Sequence, residues 1–305
     1  MLPNSLVAGL RACAVIAAAA SIAPVLAGAA ADASPQGGSE LRAKYGELRP
    51  SLERNQFGRP VHLDSVETGG TLKGEVHAVL AHPFGKVREG LASAKSWCDI
   101  LTLPFNVKRC ESTSPDSLAL YIGRTKDTPM SQCVRIDFHY SALVASGDLL
   151  KLQLDAPNGP MGTKNYRIIL DAAPLDAGRT FMHMSYGYGY GTVSKLAMQA
   201  YLSTSGASKV GFSSDGADEQ GNPRLVGGMR GVLERNTMRY FLAIDAYLNT
   251  LSVPLAARQE RRLNEWFDSV ERYPRQLREM SREEYVAMKR RDLAGAEQQR
   301  VASGS

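Results

Sequence analysis

Strings that would announce a known chemistry are missing from this sequence. There is no Cys-x-x-Cys, no His-Glu-x-x-His and no Gly-x-x-x-x-Gly-Lys-[Ser/Thr], so neither a closely spaced zinc site nor a P-loop is encoded. Histidine is scarce, at positions 62, 77, 82, 139 and 183. His77 and His82 are five residues apart and fall on opposite faces of a strand. Each histidine reads as a surface or hydrogen-bonded strand residue, and no metal or other cofactor is expected. The nucleophile elbow Gly-x-Ser-x-Gly is absent too, since "GFSSDG" lacks the closing glycine. Beyond the first thirty or so residues, no segment approaches the roughly 20 continuous apolar residues of a membrane span, and no internal repeat occurs.

Cysteine is also sparse, at positions 13, 98, 110 and 133. Cys13 sits in the apolar run "ACAVIAAAASIAPVLA", which follows Arg11 and ends in small-residue triplets such as Ala27-Gly28-Ala29. This is the pattern of a cleavable secretory signal over 1–31. The mature protein is expected in the periplasm if the source is a Gram-negative bacterium. Cys98 and Cys110 flank a loop-length insert, and a bridge between them would restrict the unfolded chain by roughly 3 kcal/mol. Such a bridge also removes Cys98, beside Asp99, from any thiolate chemistry with His139 or His183 as base. Cys133 is then left free, and is expected to be buried in a strand.

With 44% hydrophobic and 22% charged residues, the chain has an ordinary globular composition. A net charge of +5 is compatible with an anionic membrane surface or an acidic head group. Nucleic acid is not indicated, because the basic residues lack interleaved aromatics and carboxylates nearly balance them in the C-terminal third.

Residues 32–58 read as a linker and a short peripheral helix with Leu41, Tyr45, Leu48 and Leu52 at helical spacing. "PVHLDSVE" and "TLKGEVHAVLAH" alternate around Gly69-Gly70 and predict a hairpin. "PFGKVREGLASAKSWCDI" reads as one amphipathic helix opened by Pro83. Five strand-like runs follow Cys110, joined by turn-length pieces, which predicts an antiparallel sheet. A helix is expected near 193–203, a strand at "SKVGFSS", and then a long helix from about Gly228 with Met238, Phe241, Ile244, Tyr247, Leu248 and Leu251 on one stripe. A charged helical extension over 253–292 and a disordered tail over 293–305 complete the chain.

The stretch "SYGYGYGT" raises the question of a phosphate-cradling loop. Its third glycine position falls on Thr192 or Ser194, the preceding strand carries Arg179, His183 and Ser185, and no further strand–helix alternation follows. A dinucleotide fold needs all three features to be otherwise. As a strand, the stretch puts Tyr186, Tyr188 and Tyr190 on one face and bare backbone on the other, as suits a bent sheet wrapped around a helix.

The hairpin, "PFGKVREGLASAKSWCDIL", the run of strands and the helix "MRGVLERNTMRYFLAIDAYL" together resemble the START-like, or helix-grip, superfamily of hydrophobic-ligand-binding proteins over about residues 59–252. "WCDILTLPFNVKRC", "GPMGTKNYRI" and "ERNTMRYFLAIDAYL" are also similar to an uncharacterised group of exported bacterial proteins. The resemblance implies an α+β fold in which a curved antiparallel sheet grips the long helix; here a helical tail is added. It implies an apolar or lipid-like ligand between sheet and helix, with Trp97, Tyr166, Tyr186, Tyr188, Tyr190, Met238 and Phe241 as walls. Arg239 would turn inward to an anionic head group, the alternative being an ion-paired face in which Glu234 meets Arg230. A non-enzymatic binding protein is the leading expectation. An enzyme on the same scaffold, or an envelope module whose tail docks a partner, are the alternatives.

Overall fold

In the computed structural model the chain divides into two units, 1–34 and 35–305, and the structure describes residues 36–202 and 209–303 of the second. The expected signal segment lies outside the described residues. The alternating runs become β1 (Val61–Thr68), β2 (Thr71–Leu80), β3 (Val107–Ser114), β4 (Ser117–Ile122), β5 (Val134–Ala145), β6 (Leu150–Asn158), β7 (Lys164–Pro174) and β8 (Thr180–Gly189). They form one curved antiparallel sheet in the order β1-β2-β8-β7-β6-β5-β4-β3. The last strand returns beside the second, with pairs running from Thr71 opposite Gly189 to Leu80 opposite Thr180.

Alternate residues of these strands turn inward: Leu72, Val76, Ala78 and Leu80 from β2, and Met182, Met184, Tyr186 and Tyr188 from β8, are all buried. They face the long helix, which precedes three more and follows α1 (Gln36–Glu53), α2 (Phe84–Leu91), α3 (Ala94–Leu101) and α4 (Thr192–Leu202). This helix, α5 (Gly228–Asn249), is buried almost all round. The sheet takes one side of it, and the other meets the tail elements α6 (Leu255–Glu271) and α7 (Pro274–Leu277), while α8 (Arg282–Ser303) packs on α6 and β3.

Sheet and helix approach closely at Gly74, where a Cβ would overlap Thr237 Oγ1. Gly74→Ala is therefore expected to cost about 1–3 kcal/mol through overpacking. The same change made on a Thr237→Ala background should cost under about 1 kcal/mol, read as the coupling in a double-mutant cycle of urea unfolding. Equal costs in both backgrounds would remove the contact as the cause.

The expectations are corrected at several points, and one strand is added. The stretch 83–100 is two helices, because Ser93 adopts extended backbone and its Oγ accepts from the Ser96 N–H at 3.1 Å, capping α3. Strand β3 reads as polar in sequence and forms as an edge strand. Of the run "SKVGFSS", the described residues 209–213 form no regular strand, and Ser214 opens a short hairpin, β9 (Ser214–Ala217) with β10 (Pro223–Leu225). The chain end is helical to Ser303, since Leu293 packs against the core and a single glycine is a weak helix breaker.

Cys98 and Cys110 are bonded, with Cα atoms 5.2 Å apart, and so tie α3 to β3. Cys133 is half-buried just before β5 instead of buried within it. In α8, the Lys289 amine donates to Pro104 O and Val107 O at 2.7 Å each. Burial pushes this amine down to about 7, and a neutral amine keeps the N–H groups that both carbonyls need. No helix of the described residues is long and apolar enough to cross a membrane.

Candidate functional site

The eight residues expected to line a ligand site fall in three places. Trp97, Met238 and Phe241 are fully buried in the central core, where the Trp97 indole donates to Leu91 O at 3.1 Å. Tyr166, Tyr186 and Tyr188 gather at one end of the grip. Tyr166 stacks on Tyr188 with ring centres 5.0 Å apart and planes at 14°, and Tyr186 meets Tyr240 of α5 edge-on at 5.0 Å and 77°. Tyr190 lies farther out, half-buried, with its hydroxyl donating to Glu67.

Arg239 is in the third place, on the side of α5 that meets the tail. Its guanidinium donates to Glu279 Oε1 at 2.7 Å and lies over the Phe105 ring at 5.1 Å. The ion-paired alternative therefore describes this arginine, although the partner comes from 40 residues away. The expected Glu234–Arg230 pair is replaced by a different arrangement. Both groups reach Ser65 on β1: Ser65 Oγ donates to Glu234 at 2.5 Å, and Arg230 donates to Ser65 O at 3.1 Å. Glu234 also accepts from the N–H groups of Phe212 and Ser213 at 2.6 and 2.9 Å, and from the Ser213 hydroxyl. Farther along α5, Asp245 accepts from Arg59 at 2.7 Å and Asn249 meets His82 at 2.9 Å. Polar side chains along this otherwise apolar helix thus hold β1, the segment 212–213, the α1–β1 connection, the loop after β2 and the tail.

The tyrosine end has the composition of a small-molecule wall. Burial raises Tyr166 to about 12 and drives Tyr186 and Tyr188 further up, so all three stay neutral phenols, apolar in the ring and hydrogen-bonding at the tip. Tyr166 shares its hydroxyl with Thr163 at 2.8 Å, in the turn after a short 3₁₀ segment at 160–162. Met198 and Leu202 of α4 pack against the core, and α4 touches both the 160–162 segment and α5. Thr163 was not singled out from the sequence. Tyr240 lies beside Phe241, on a helix whose apolar stripe extends almost right round, so spacing alone does not aim its ring.

The bare-backbone face of β8 proves to serve the sheet itself. A Cβ on Gly187 would lie 2.7 Å from Leu72 O of β2, and the β7–β8 register shifts between Lys164 and Arg167. A glycine and a bulge together give strong local curvature. Gly187 and Gly189 sit inside an antiparallel ladder, and Gly191 lies between β8 and α4.

Two surface grooves accompany the fold. One, of about 410 Å³, lies between the end of α1, β1 and the β9–β10 hairpin, around Phe57, Leu63 and Phe212. The other, of about 740 Å³, lies along the tail between Phe267 and Arg282. Neither is lined by any of the eight expected residues. Among the described residues, no group of three or more His, Cys, Asp or Glu side chains is placed to hold a metal ion.

No protein-family model and no curated protein matches the chain. Among solved structures, a conserved protein from Geobacillus kaustophilus is 12% identical with a TM-score of 0.35, covering 58% of this chain and 95% of its own. Norcoclaurine synthase from Thalictrum flavum is 12% identical with a TM-score of 0.32, covering 47% and 89%. A START superfamily protein from Mycobacterium smegmatis is 12% identical with a TM-score of 0.29, covering 46% and 94%. The fold itself is read from this chain's own strand order and from the helix seated on the inner face: an α+β arrangement of START-like, helix-grip type, with an added N-terminal helix and helical tail.

Proposed function

We propose that the chain is an exported binding protein for an apolar or lipid-like small molecule, held at the tyrosine end of the grip between β7, β8 and α5. The observation that carries this reading is the group Tyr166, Tyr186, Tyr188 and Tyr240, four neutral phenols whose rings meet one another. The core around Trp97, Met238 and Phe241 is already filled by side chains, so a ligand enters by displacing Met198 and Leu202 of α4. Binding is favoured over catalysis because the acid–base groups with the strongest mutual influence, His77, His183 and Glu75, lie on the opposite face of the sheet. The Cys98–Cys110 bond supports an oxidising compartment. The net charge of +5 suits delivery at an anionic membrane surface or to an envelope protein.

Native mass spectrometry of the chain purified from its own compartment should show an adduct that organic extraction removes. The stripped protein should then take up 1-anilinonaphthalene-8-sulfonate, and Tyr188→Ala should weaken that uptake by about tenfold, the worth of one stacked ring. A folded chain with no adduct and no dye uptake would overturn the reading.

A further inference from the structure

On the face of the sheet turned away from α5, one residue from each of five adjacent strands stands in register. His62 of β1 is opposite His77 of β2, His77 is opposite His183 of β8, His183 is opposite Asp171 of β7, and Asp171 is opposite Lys151 of β6. The His77 and His183 rings stack 4.5 Å apart at 19°, and Phe181 stacks on His77 from the next position at 6.0 Å. Helix α1 lies over this end of the face, with Tyr45 against Phe181 at 5.3 Å. Its hold is light. The stripe of Leu41, Tyr45, Leu48 and Leu52 supplies its apolar contact, and Arg42 reaches Asp148 at 3.7 Å.

The stacked histidines differ in their surroundings. His183 places Nε2 3.1 Å from Glu75 and Nδ1 3.4 Å from Asp171, a carboxylate at each nitrogen, as an imidazolium requires. Burial alone would lower its proton affinity, but the bonds to Asp171 and Glu75 raise it. Glu75 is held down at about 2 by His183 and then by Lys73. His77 is 8% exposed, and its Nδ1 has no hydrogen-bond partner among the described residues. Burial first, and the neighbouring His183 second, push it down to about 4. The other groups facing it are Glu75 on its own strand, His62 and beyond it Asp64 on β1, and Lys44 on α1, which is itself paired with Glu47. Asp171 and Lys151 stand behind His183.

We propose that the stacked pair is an acid-operated latch for α1: the helix stays seated while His77 is neutral, and protonation of His77, which sets two imidazolium rings face to face beneath it, unseats α1 and uncovers Phe181. With α1 away, both rings are hydrated and their repulsion is screened. Released His77 takes its proton near its ordinary value of about 6.5, whereas seated His77 resists until about 4. The seated form therefore binds fewer protons between those values, and its advantage falls as pH drops through that window. Glu75 acts later, below its ordinary value of 4.5. His183 has the opposite sign and favours the seated form at low pH, so the loss comes from His77.

Amide hydrogen exchange on the full chain, corrected for intrinsic rates, tests the latch. From pH 7 to pH 4 the opening equilibrium of residues 36–53 should rise on the order of 100-fold, while residues 228–249 stay closed. His77→Phe, which keeps the ring and loses the titration, should hold α1 closed at pH 4; His62→Gln should leave the response intact. In the unmodified chain, the His77 ring resonances should titrate together with the opening of α1. The latch is overturned if α1 and α5 open together, if α1 opening is flat with pH, if His77→Phe opens as the parent does, if His62→Gln abolishes the response, or if His77 titrates near 6.5 with α1 still closed.

Discussion

Glu234→Ala is expected to destabilise the protein by about 3–5 kcal/mol, because it strips a fully buried acceptor from several donors at once. The carboxyl group has no solvent exposure and accepts from Ser65, from the Phe212 and Ser213 N–H groups and from the Ser213 hydroxyl. Through these bonds it fixes the segment that seats Phe212 among aromatic neighbours, 5.6 Å from Phe57 and 5.5 Å from Tyr273. Glu234→Gln keeps one carbonyl acceptor and should cost about half as much. Urea unfolding followed by far-UV circular dichroism measures both, with the midpoint moving and the slope held. A loss below about 1 kcal/mol for the alanine variant would mean that the segment 209–213 is not held by this residue.

Trp97→Ala carries a similar expected loss, about 3–5 kcal/mol, and bears directly on where a ligand sits. The indole is wholly buried, and Leu91 O at the end of α2 accepts from both Trp97 and the Tyr140 hydroxyl, at 3.1 and 3.3 Å. One carbonyl thus joins α2, α3 and β5. A ring that merely lined an open cavity would already lack neighbours on one side, and its removal would cost much less. Trp97→Phe should lose about 1–2 kcal/mol. If the alanine variant unfolds at nearly the parental urea concentration, the ring is a cavity wall, and the ligand site moves from the tyrosines to the centre of the molecule.

Much of the architecture could be read from local periodicity, and the exceptions have physical causes. Period-2 alternation marked β1, β2 and β4–β8, because one face of each is apolar. It failed for β3, where "VKRCESTS" alternates among polar types and the pairing is set by β4 and the Cys98 bond. It misled at "KVGFSS", whose N–H groups at Phe212 and Ser213 are claimed by Glu234 before a neighbouring strand can pair with them. Half of the histidine row was within reach of the sequence. His62 and His77 are equidistant from the Gly69-Gly70 turn, so a tight hairpin must place them opposite each other. His183 joins them only through the β2–β8 register, which depends on a partner more than 100 residues away. The tyrosines on β8 were legible from alternation, whereas the partner on α5, Tyr240, depends on how the helix is rotated in its bed.

An open sheet of eight strands ends in two free margins, either of which can template the addition of another chain. At one margin, Arg230 occupies Ser65 O of β1. At the other, Lys289 occupies Val107 O of β3, with Tyr285 fastened to Leu103 O alongside. The gripped helix and the tail helix thereby each occupy an acceptor at one margin, which leaves fewer groups there for a further strand to pair with.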